Sequence, residues 1–339
     1  MVKKDNKRVI YWLLTGCFLI FVMVVVGGIT RLTHSGLSIS SYKLISGTIP
    51  PLNEEQWIAE FEHYKQFPEY QKKHYHFELE DFKFIYFWEW IHRVLGRLLG
   101  VVFIIPFLYF LFKKQLSRPT IKKCLILVAL GGFQGFLGWY MVKSGLIDRP
   151  NVSHFRLAMH LTTAFVTFAY TLWVALDLWY PVNKAVNTHI RNIIRIAMGI
   201  LLVQIIWGAF VAGLHAGLIH NTWPMMSEGK LIHETVYSEL SPVWLNFVEG
   251  KSGVQFVHRY LAYVVVGMIF FIWYKTKKLN LTLPQRYGIN LLVILVLIQF
   301  TLGVFTLITH VPVSLGVLHQ VVAFFLLASM TFVLHRFSK

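Results

Sequence analysis

Apolar residues along this chain gather into eight long segments that are separated by polar connections. Each segment has about 20 or more mainly apolar residues, the length that a helix needs to cross the hydrocarbon core of a bilayer. The predicted spans are 9–29, 82–112, 121–142, 154–178, 193–213, 254–274, 287–309 and 313–334. The pattern therefore predicts an all-α membrane protein with eight transmembrane helices.

Composition agrees with a membrane protein and argues against several other classes. Of the 339 residues, 56% are hydrophobic and only 14% are charged, whereas about one quarter of a soluble domain is charged. The formal charge of +16 is spread over short basic clusters between apolar runs, so no nucleic-acid partner is expected. Cys17 and Cys124 lie inside different apolar segments, which predicts buried thiols rather than a disulfide or metal site.

The connections between the spans predict the orientation of the chain. Lysine and arginine gather at the N-terminus, in the connections 113–123, 177–195 and 275–278, and at the C-terminus. The long loops 33–81 and 214–253 are instead rich in glutamate. Because cytoplasmic connections favour lysine and arginine, both termini are expected in the cytoplasm and both acidic loops outside. The first apolar run is long for a signal peptide and lacks a cleavage site, so a retained helix in the cell inner membrane is expected.

The second half of the chain repeats the first. The segment GGITRLTHSGL after span one matches GAFVAGLHAGL after span five, an offset of 181 residues from His34 to His215. Further matched pairs are Gly27 with Gly208, His92 with His258, Arg93 with Arg259, Gln134 with Gln299, Gly138 with Gly303 and His160 with His319. The matching order predicts two pseudo-symmetric four-helix bundles, 1–180 and 181–339, related by an axis along the membrane normal.

Four histidines lie at a similar depth inside the even-numbered spans. They are His92, His160, His258 and His319. A polar side chain inside a membrane usually faces the bundle interior and marks a functional site, although a single one can instead bond to a neighbouring helix. Zinc sites recruit three or four ligands, and each half offers two histidines. A haem iron takes two axial ligands, so a bis-histidine haem in each half fits the pattern better.

The residues around these histidines add charge to each predicted site. Arg93 and Arg259 directly follow a histidine and could pair with haem propionates, although either could instead reach the lipid headgroups. Glu89 lies three residues before His92, whereas the second half has Gln255 at that position. A carboxylate can move protons or stabilise positive charge on a reacting carbon. The alternative is an interfacial glutamate that bonds Arg93 or Lys83.

Seven motifs together resemble haem A synthase, the group that includes the bacterial enzyme and its mitochondrial counterpart. In order they are GGITRLTHSGLSIS, EWIHRVLGR, GFQGFLGWYMVKSGL, FRLAMHLTTAF, HNTWPMM, VQFVHRYLA and LGVLHQVVAF. The resemblance covers essentially the whole chain. It implies oxidation of a methyl group on haem O to a formyl group, by successive hydroxylations and loss of water, which gives haem A for terminal oxidases.

The resemblance also implies roles for individual residues and partners. His258 and His319 would ligate a resident haem b, with Arg259 and Arg93 as cofactor-binding residues. His92 and His160 would bind the substrate haem O, with Glu89 as a catalytic group. Haem O synthase would deliver the substrate, and an electron donor, membrane lipid and a homo-oligomer are further expected partners. Some bacterial members carry a cysteine pair in the first outer loop, and this chain resembles the branch that lacks it.

Two functions of other classes remain open from the residues alone. A diheme electron carrier would hold two permanent b-type haems and would give Glu89 no clear task. A haem transporter or chaperone would bind haem without redox turnover. In the first long loop, residues Trp57, Phe61, Tyr64 and Phe67 have the spacing of an amphipathic helix on the outer surface.

Overall fold

The computed structural model describes residues 4–39, 48–146, 150–180 and 187–338. Within these residues, eight helices are long and apolar enough to span a membrane. They are α1 (Lys4–Leu32), α3 (Leu79–Phe112), α4 (Arg118–Lys143), α5 (His154–Trp179), α6 (Thr188–Leu214), α8 (Lys251–Thr276), α9 (Leu283–Ile308) and α10 (Val313–Ser338). The eight predicted spans are confirmed, with ends that differ from the prediction by five residues or fewer. Two shorter helices, α2 (Glu54–Tyr64) and α7 (Thr235–Ser238), lie in the long loops.

Local capping explains where several of the spanning helices begin. Ser117 accepts a hydrogen bond from the Thr120 amide before α4, and Asn187 accepts one from the Ile190 amide before α6. Thr282 and Gln285 form a capping box at the start of α9. Each bond satisfies a backbone N–H that has no partner within its helix.

The helices α1 and α6 end in the same way. His34, just after α1, and His215, just after α6, have φ angles of 54° and 55°. A residue in this left-handed region commonly ends a helix, and glycine is the residue that adopts it most easily. The two histidines occupy matching positions of the sequence repeat, so the chain leaves both helices by an equivalent turn.

Helix packing follows the same order in each half. In the first half α1 contacts α3 and α5, and α4 contacts α3 and α5. In the second half α6 contacts α8 and α10, and α9 contacts α8 and α10. Contacts between the halves join α1 to α10, α5 to α6, and α5 to α10. This pattern is compatible with the predicted two-fold axis, which would pass between α5 and α10.

The contact between the halves is rich in phenylalanine. Phe324 of α10 lies at its centre, with ring centroids 3.9 Å from Phe168, 5.6 Å from Phe165 and 5.3 Å from Phe21. The central helices α1, α5, α6 and α10 are more buried than the peripheral helices α3, α4, α8 and α9. The peripheral helices expose large apolar side chains, as expected where a helix faces lipid.

Both long loops lie on one side of the bundle, here named the loop side, and both chain ends lie on the other, the terminal side. The predicted amphipathic helix is confirmed as α2, which ends before Phe67, and its apolar face packs on α3. The ring centroids of Phe61 and Tyr64 each lie 5.2 Å from that of Phe82. In the second loop, Asn246 is fully buried and donates to the carbonyls of Leu240 and Val243.

A buried ionic cluster on the terminal side joins the two halves. Asp177 of α5 accepts hydrogen bonds from Lys123 of α4 and lies 3.0 Å from Nε2 of His335 on α10. The His335 ring has no exposed surface, and the Asp177 side chain is 8% exposed. Breaking such a buried cluster leaves an uncompensated charge and costs about 3–5 kcal/mol.

Candidate functional site

Each of the four predicted histidines packs its ring against a glycine of the preceding spanning helix. A Cβ atom added to that glycine would lie close to Cε1 of the ring in every case. The distances are 3.0 Å from Gly27 to His92, 3.4 Å from Gly138 to His160, 3.1 Å from Gly208 to His258 and 2.9 Å from Gly303 to His319. The glycines therefore leave the space in which the rings stand, and they occupy matching positions of the repeat.

The second-half pair has a separation that suits a shared metal. The ring centroids of His258 and His319 lie 6.5 Å apart, and the rings are nearly perpendicular, at 76°. Two metal–nitrogen bonds of about 2 Å, plus about 1 Å from each nitrogen to its ring centre, need a separation of about 6 Å. Both rings are half-buried. His258 and His319 are therefore spaced so that they could hold a metal ion, such as a haem iron, between their rings.

Glutamine amides stand beside both second-half rings. The amide nitrogen of Gln204 lies 3.2 Å from Nδ1 of His258 and donates to the backbone carbonyl of the same residue. The amide nitrogen of Gln299 lies 3.2 Å from both ring nitrogens of His319. A partner on the second nitrogen commonly orients a metal-binding histidine. Gln299 would have to withdraw from Nε2 when that nitrogen binds a metal.

The first-half pair is held less firmly. Within the described residues, Nδ1 of His92 and Nδ1 of His160 are buried without a hydrogen-bond partner. Gln134 donates to the backbone carbonyl of His160 at 3.1 Å and not to its ring. At the position that matches Gln204, the first half has Met23. Buried ring nitrogens without partners are costly, so the two halves differ in how completely they fix their histidines.

Glu89 is buried and joins the start of the first long loop to α3. Its Oε2 accepts hydrogen bonds from the Ser38 hydroxyl at 2.7 Å and from the Ile39 amide at 2.8 Å. Its Oε1 accepts from Nη2 of Arg93 at 2.6 Å. The same Nη2 also donates to the Ile39 carbonyl at 2.6 Å. Nε of Arg93 also donates to Oε1 at 3.1 Å, so the carboxylate is held by four hydrogen bonds from three residues.

The second half makes the same join with a neutral glutamine in place of the glutamate. The side-chain amide of Gln255 donates to the carbonyls of Ala216, at 2.9 Å, and Ile219. Nη1 of Arg259 donates to the carbonyl of His220 at 3.3 Å, at the repeat position that matches the first-half contact. Both positions thus anchor a loop, and the first half differs by carrying a negative charge there.

The two predicted propionate partners, Arg93 and Arg259, contact backbone carbonyls, as does Arg156 of α5. In addition to the contacts above, Nη2 of Arg259 donates to the carbonyls of Thr222, Pro224 and Met225. Arg156 donates to the carbonyl of Tyr140 at 2.7 Å and stacks over its ring. A role of Arg93 and Arg259 toward propionates stays a prediction, and the contacts place both guanidinium groups at the loop-side end of their helices.

His34 and His215 meet between the two halves. Their rings are stacked, with centroids 5.2 Å apart. Nη2 of Arg31 donates to the carbonyls of Ala212 and Gly213 at the end of α6 and lies 3.2 Å from Nε2 of His215. Burial, followed by the charge of Arg31, lowers the pKa of His34 to about 4 and that of His215 to about 3. Both rings are therefore neutral at neutral pH.

A second buried polar cluster lies in the first long loop. The Tyr64 hydroxyl lies 3.1 Å from Oε2 of Glu69 and 2.8 Å from Nδ1 of His74. Burial is the main reason that the pKa of Glu69 is raised to about 8 and that of His74 is lowered to about 4. Both groups are therefore uncharged at neutral pH.

Comparison with known proteins assigns the chain to a family. A model of the COX15-CtaA family, described as cytochrome oxidase assembly protein, matches residues 10–331. The chain belongs to this family. A protein of Flavobacterium johnsoniae named haem A synthase is 62% identical over the whole of both chains. A haem A synthase of Nitrosospira multiformis is 41% identical over 98% of this chain and 94% of its own.

The family resemblance inferred from the motifs is thus confirmed. Several buried polar residues, in contrast, were not predicted from the sequence. Tyr64 was predicted only as part of an apolar helix face, and Glu69, His74 and Arg31 were not singled out. The available signal was the position of Glu69 just after an amphipathic helix, between aromatic residues. A titratable residue just after an apolar helix face can become buried when that face packs against another helix, as Glu69 does here.

Proposed function

We propose that this protein is a haem A synthase, which oxidises a methyl group of haem O to a formyl group by successive hydroxylation and loss of water. The product is haem A for terminal oxidases. The observation that carries the proposal is similarity over the full length to proteins named haem A synthase. Paired histidines in each half supply the chemistry that such an enzyme needs, namely two places at which a haem iron can be ligated.

The two halves take different haems in this proposal. Residues 181–339 hold haem b between His258 and His319, and residues 1–180 bind the substrate haem O between His92 and His160. The 6.5 Å ring separation and the two glutamine contacts support a permanent site in the second half. The partnerless Nδ1 atoms support an exchangeable ligand in the first half. When bound, haem b supplies one-electron transfer.

The residues of the first half bind and orient the substrate. The glycines Gly27 and Gly138 leave room for His92 and His160 to present their rings. Four hydrogen bonds hold the Glu89 carboxylate, so its negative charge stays in a fixed position on α3. A fixed charge of this kind stabilises positive charge that develops on a reacting carbon. Arg93 and Arg259 contribute positive charge for the propionates at the loop-side end of each site.

The proposal extends to location and partners. The loop side faces outward from the cell inner membrane, and both chain termini lie in the cytoplasm, because the terminal side carries the lysine and arginine clusters. Haem O arrives from haem O synthase through the membrane, and an external donor supplies electrons. The peripheral helices contact lipid. A homo-oligomer would use the same peripheral surface.

The test of the activity is to extract the haems of cells that make haem O, with and without this protein. Haem A is expected only when the protein is present. If haem O persisted unchanged with correctly inserted protein, the proposed activity would be wrong. Two equal equivalents of haem b in the purified protein, with no haem A in the cells, would favour an electron carrier instead.

The division between the halves has its own test in alanine variants of the histidines. His258→Ala and His319→Ala should remove the low-spin haem b absorbance. His92→Ala and His160→Ala should keep that absorbance and abolish conversion of haem O. Loss of haem b in the first-half variants would show that the assignment of the two sites is reversed or shared.

A further inference from the structure

Tyr64, Glu69 and His74 form a buried hydrogen-bonded triad on the loop side of the first half. Tyr64 has no exposed surface, and Glu69 and His74 are 4% and 8% exposed. The hydroxyl of Tyr64 stands between the other two groups, at 3.1 Å from the carboxyl and 2.8 Å from the imidazole. A buried polar group needs such partners because its desolvation is costly.

A count of protons shows why this triad is unusual. The phenol has a single proton, and it faces two atoms that can both accept it, Oε2 of Glu69 and Nδ1 of His74. Both hydrogen bonds can form only when one further proton sits on Glu69 or on Nδ1 of His74. The triad thus has two possible bonding patterns. They differ in which end carries the additional proton.

A proton can pass between the two ends without charging the phenol. The O–H bond of Glu69 breaks as a new O–H bond forms at Tyr64, and the original phenol proton moves to Nδ1 of His74. Tyr64 is left neutral, with the opposite orientation of its hydroxyl. The imidazolium of His74 can then release its Nε2 proton. The reverse sequence brings a proton inward.

The surroundings place the additional proton on Glu69 at rest. Burial is the largest cause of the raised pKa of Glu69, about 8, and of the lowered pKa of His74, about 4. Burial and Glu69 also raise the pKa of Tyr64, so the phenol does not ionise. Other charged and titratable groups that act on the triad are Arg31, His34, Glu89, Lys73, Tyr70 and His76.

The triad lies on the loop side of Glu89. The Tyr64 ring packs on Phe82, which is seven residues before Glu89 and on the same face of α3. Seven residues of α-helix rise about 10 Å. The charge of Glu89 contributes to the raised pKa of Glu69. At the other end, the His74 ring stacks on Phe77 with centroids 4.1 Å apart and retains some accessible surface.

We propose that Tyr64, Glu69 and His74 form a proton relay between the loop-side surface and the first-half site. The inference rests on the proposed function, because conversion of a methyl to a formyl group removes hydrogen from carbon and requires proton exchange with the surroundings. The second half, where only electron transfer is proposed, has Gln255 in place of Glu89 and no matching triad in its described residues.

The decisive variant is Tyr64→Phe, which keeps the aromatic ring and removes the hydroxyl. Tyr70→Phe is the matched control, because its ring contacts Tyr64 at 5.8 Å and its hydroxyl makes no hydrogen bond to the described residues. Full-length protein loaded with haem b is assayed for haem O turnover from pH 6 to 9. Tyr64→Phe should lower turnover at least about tenfold with unchanged haem b and bound haem O. Tyr70→Phe should match the wild type.

Two further measurements separate a relay from a structural role. Glu69→Gln keeps the shape of the side chain and should lower turnover as Tyr64→Phe does. His74→Ala should be restored by added imidazole, which can carry protons at the same place. Infrared titration should show a protonated carboxyl band that is lost near pH 8, is missing in Glu69→Gln and is shifted in Tyr64→Phe. The infrared measurement does not depend on haem O turnover.

The outcomes distinguish the relay from the proposed function. If wild-type protein converted no haem O, the proposed function would fail. If it converted haem O and both Tyr64→Phe and Glu69→Gln kept its rate and pH profile, only the relay would be wrong. If Tyr64→Phe lost its fold, the Glu69→Gln rate, the imidazole rescue and the infrared band would still decide.

Discussion

Replacement of Gly303 by alanine tests how closely the fold sets the position of His319. The added Cβ would lie 2.9 Å from Cε1 of the ring, at least about 0.6 Å inside the usual carbon–carbon contact distance of about 3.5–4.0 Å. Either the ring must move or α9 and α10 must separate. Overpacking of this kind costs about 1–3 kcal/mol, partly offset by about 1 kcal/mol from the higher helix propensity of alanine.

The net change in stability is therefore small, and the effect should appear in haem binding. If the His319 ring is displaced, the distance between its nitrogen and that of His258 changes. Purified Gly303→Ala protein should hold less haem b per chain, measured by absorbance, while it remains folded. Gly208→Ala, with its Cβ 3.1 Å from His258, should have a somewhat smaller effect. Gly138→Ala, at 3.4 Å from His160, should leave haem b unchanged.

The control is Gly267→Ala in the middle of α8, where an added Cβ would meet nothing within 4 Å. It should match the wild type in haem b content, with equal or higher thermal stability. If Gly303→Ala kept full haem b and an unchanged spectrum, the close contact would not position His319. If Gly267→Ala lost as much haem b, helix flexibility would be the cause.

Three further predictions concern buried titratable residues. Glu89→Gln should keep the loop anchored, as Gln255 does in the second half, and should lower haem O conversion at least about tenfold without loss of haem b; full activity would show that the charge is not used. Asp177→Asn should destabilise the protein by about 3 kcal/mol in thermal unfolding, and an unchanged midpoint would mean that its contact with His335 is not stabilising. The pKa of Glu69 rises from 4.5 to about 8 on folding. Glu69 should therefore stabilise the fold most below pH 4.5, and this contribution to the free energy of unfolding should fall by up to about 5 kcal/mol as the pH rises to 8. Glu69→Gln should remove this pH dependence of stability.

Sequence patterns predicted the architecture because span length and the order of the repeated motifs can be read from the sequence without knowledge of how the helices pack. The length of apolar runs placed every spanning helix, and the spacing from His92 to His258 and from His160 to His319 revealed the repeat. The glycines were also visible as matched positions. Their direct contact with the histidine rings was not, since it depends on which faces of two helices meet.

The remaining polar contacts join residues that no local pattern connects. Asp177 and His335 are 158 residues apart, and nothing near either one indicates the other. Tyr64 ends α2, whereas Glu69 and His74 follow it outside the apolar period of that helix, so the hydrogen bonds of the triad depend on how this segment folds onto α3. The hydrogen bonds from Arg31 to the end of α6 likewise depend on how α1 and α6 are placed relative to each other. Tertiary packing decides each of these.

The contact between the first and last helices has a consequence for biogenesis. Gln320 of α10 donates a hydrogen bond to the carbonyl of Val24 on α1, across 296 residues. At about 5–20 residues per second, a ribosome needs about 15–60 s to synthesise that length. During this interval the face of α1 that will meet α10 must be covered by lipid or by an insertion factor. A newly made chain therefore cannot complete its centre before α10 has been synthesised and inserted.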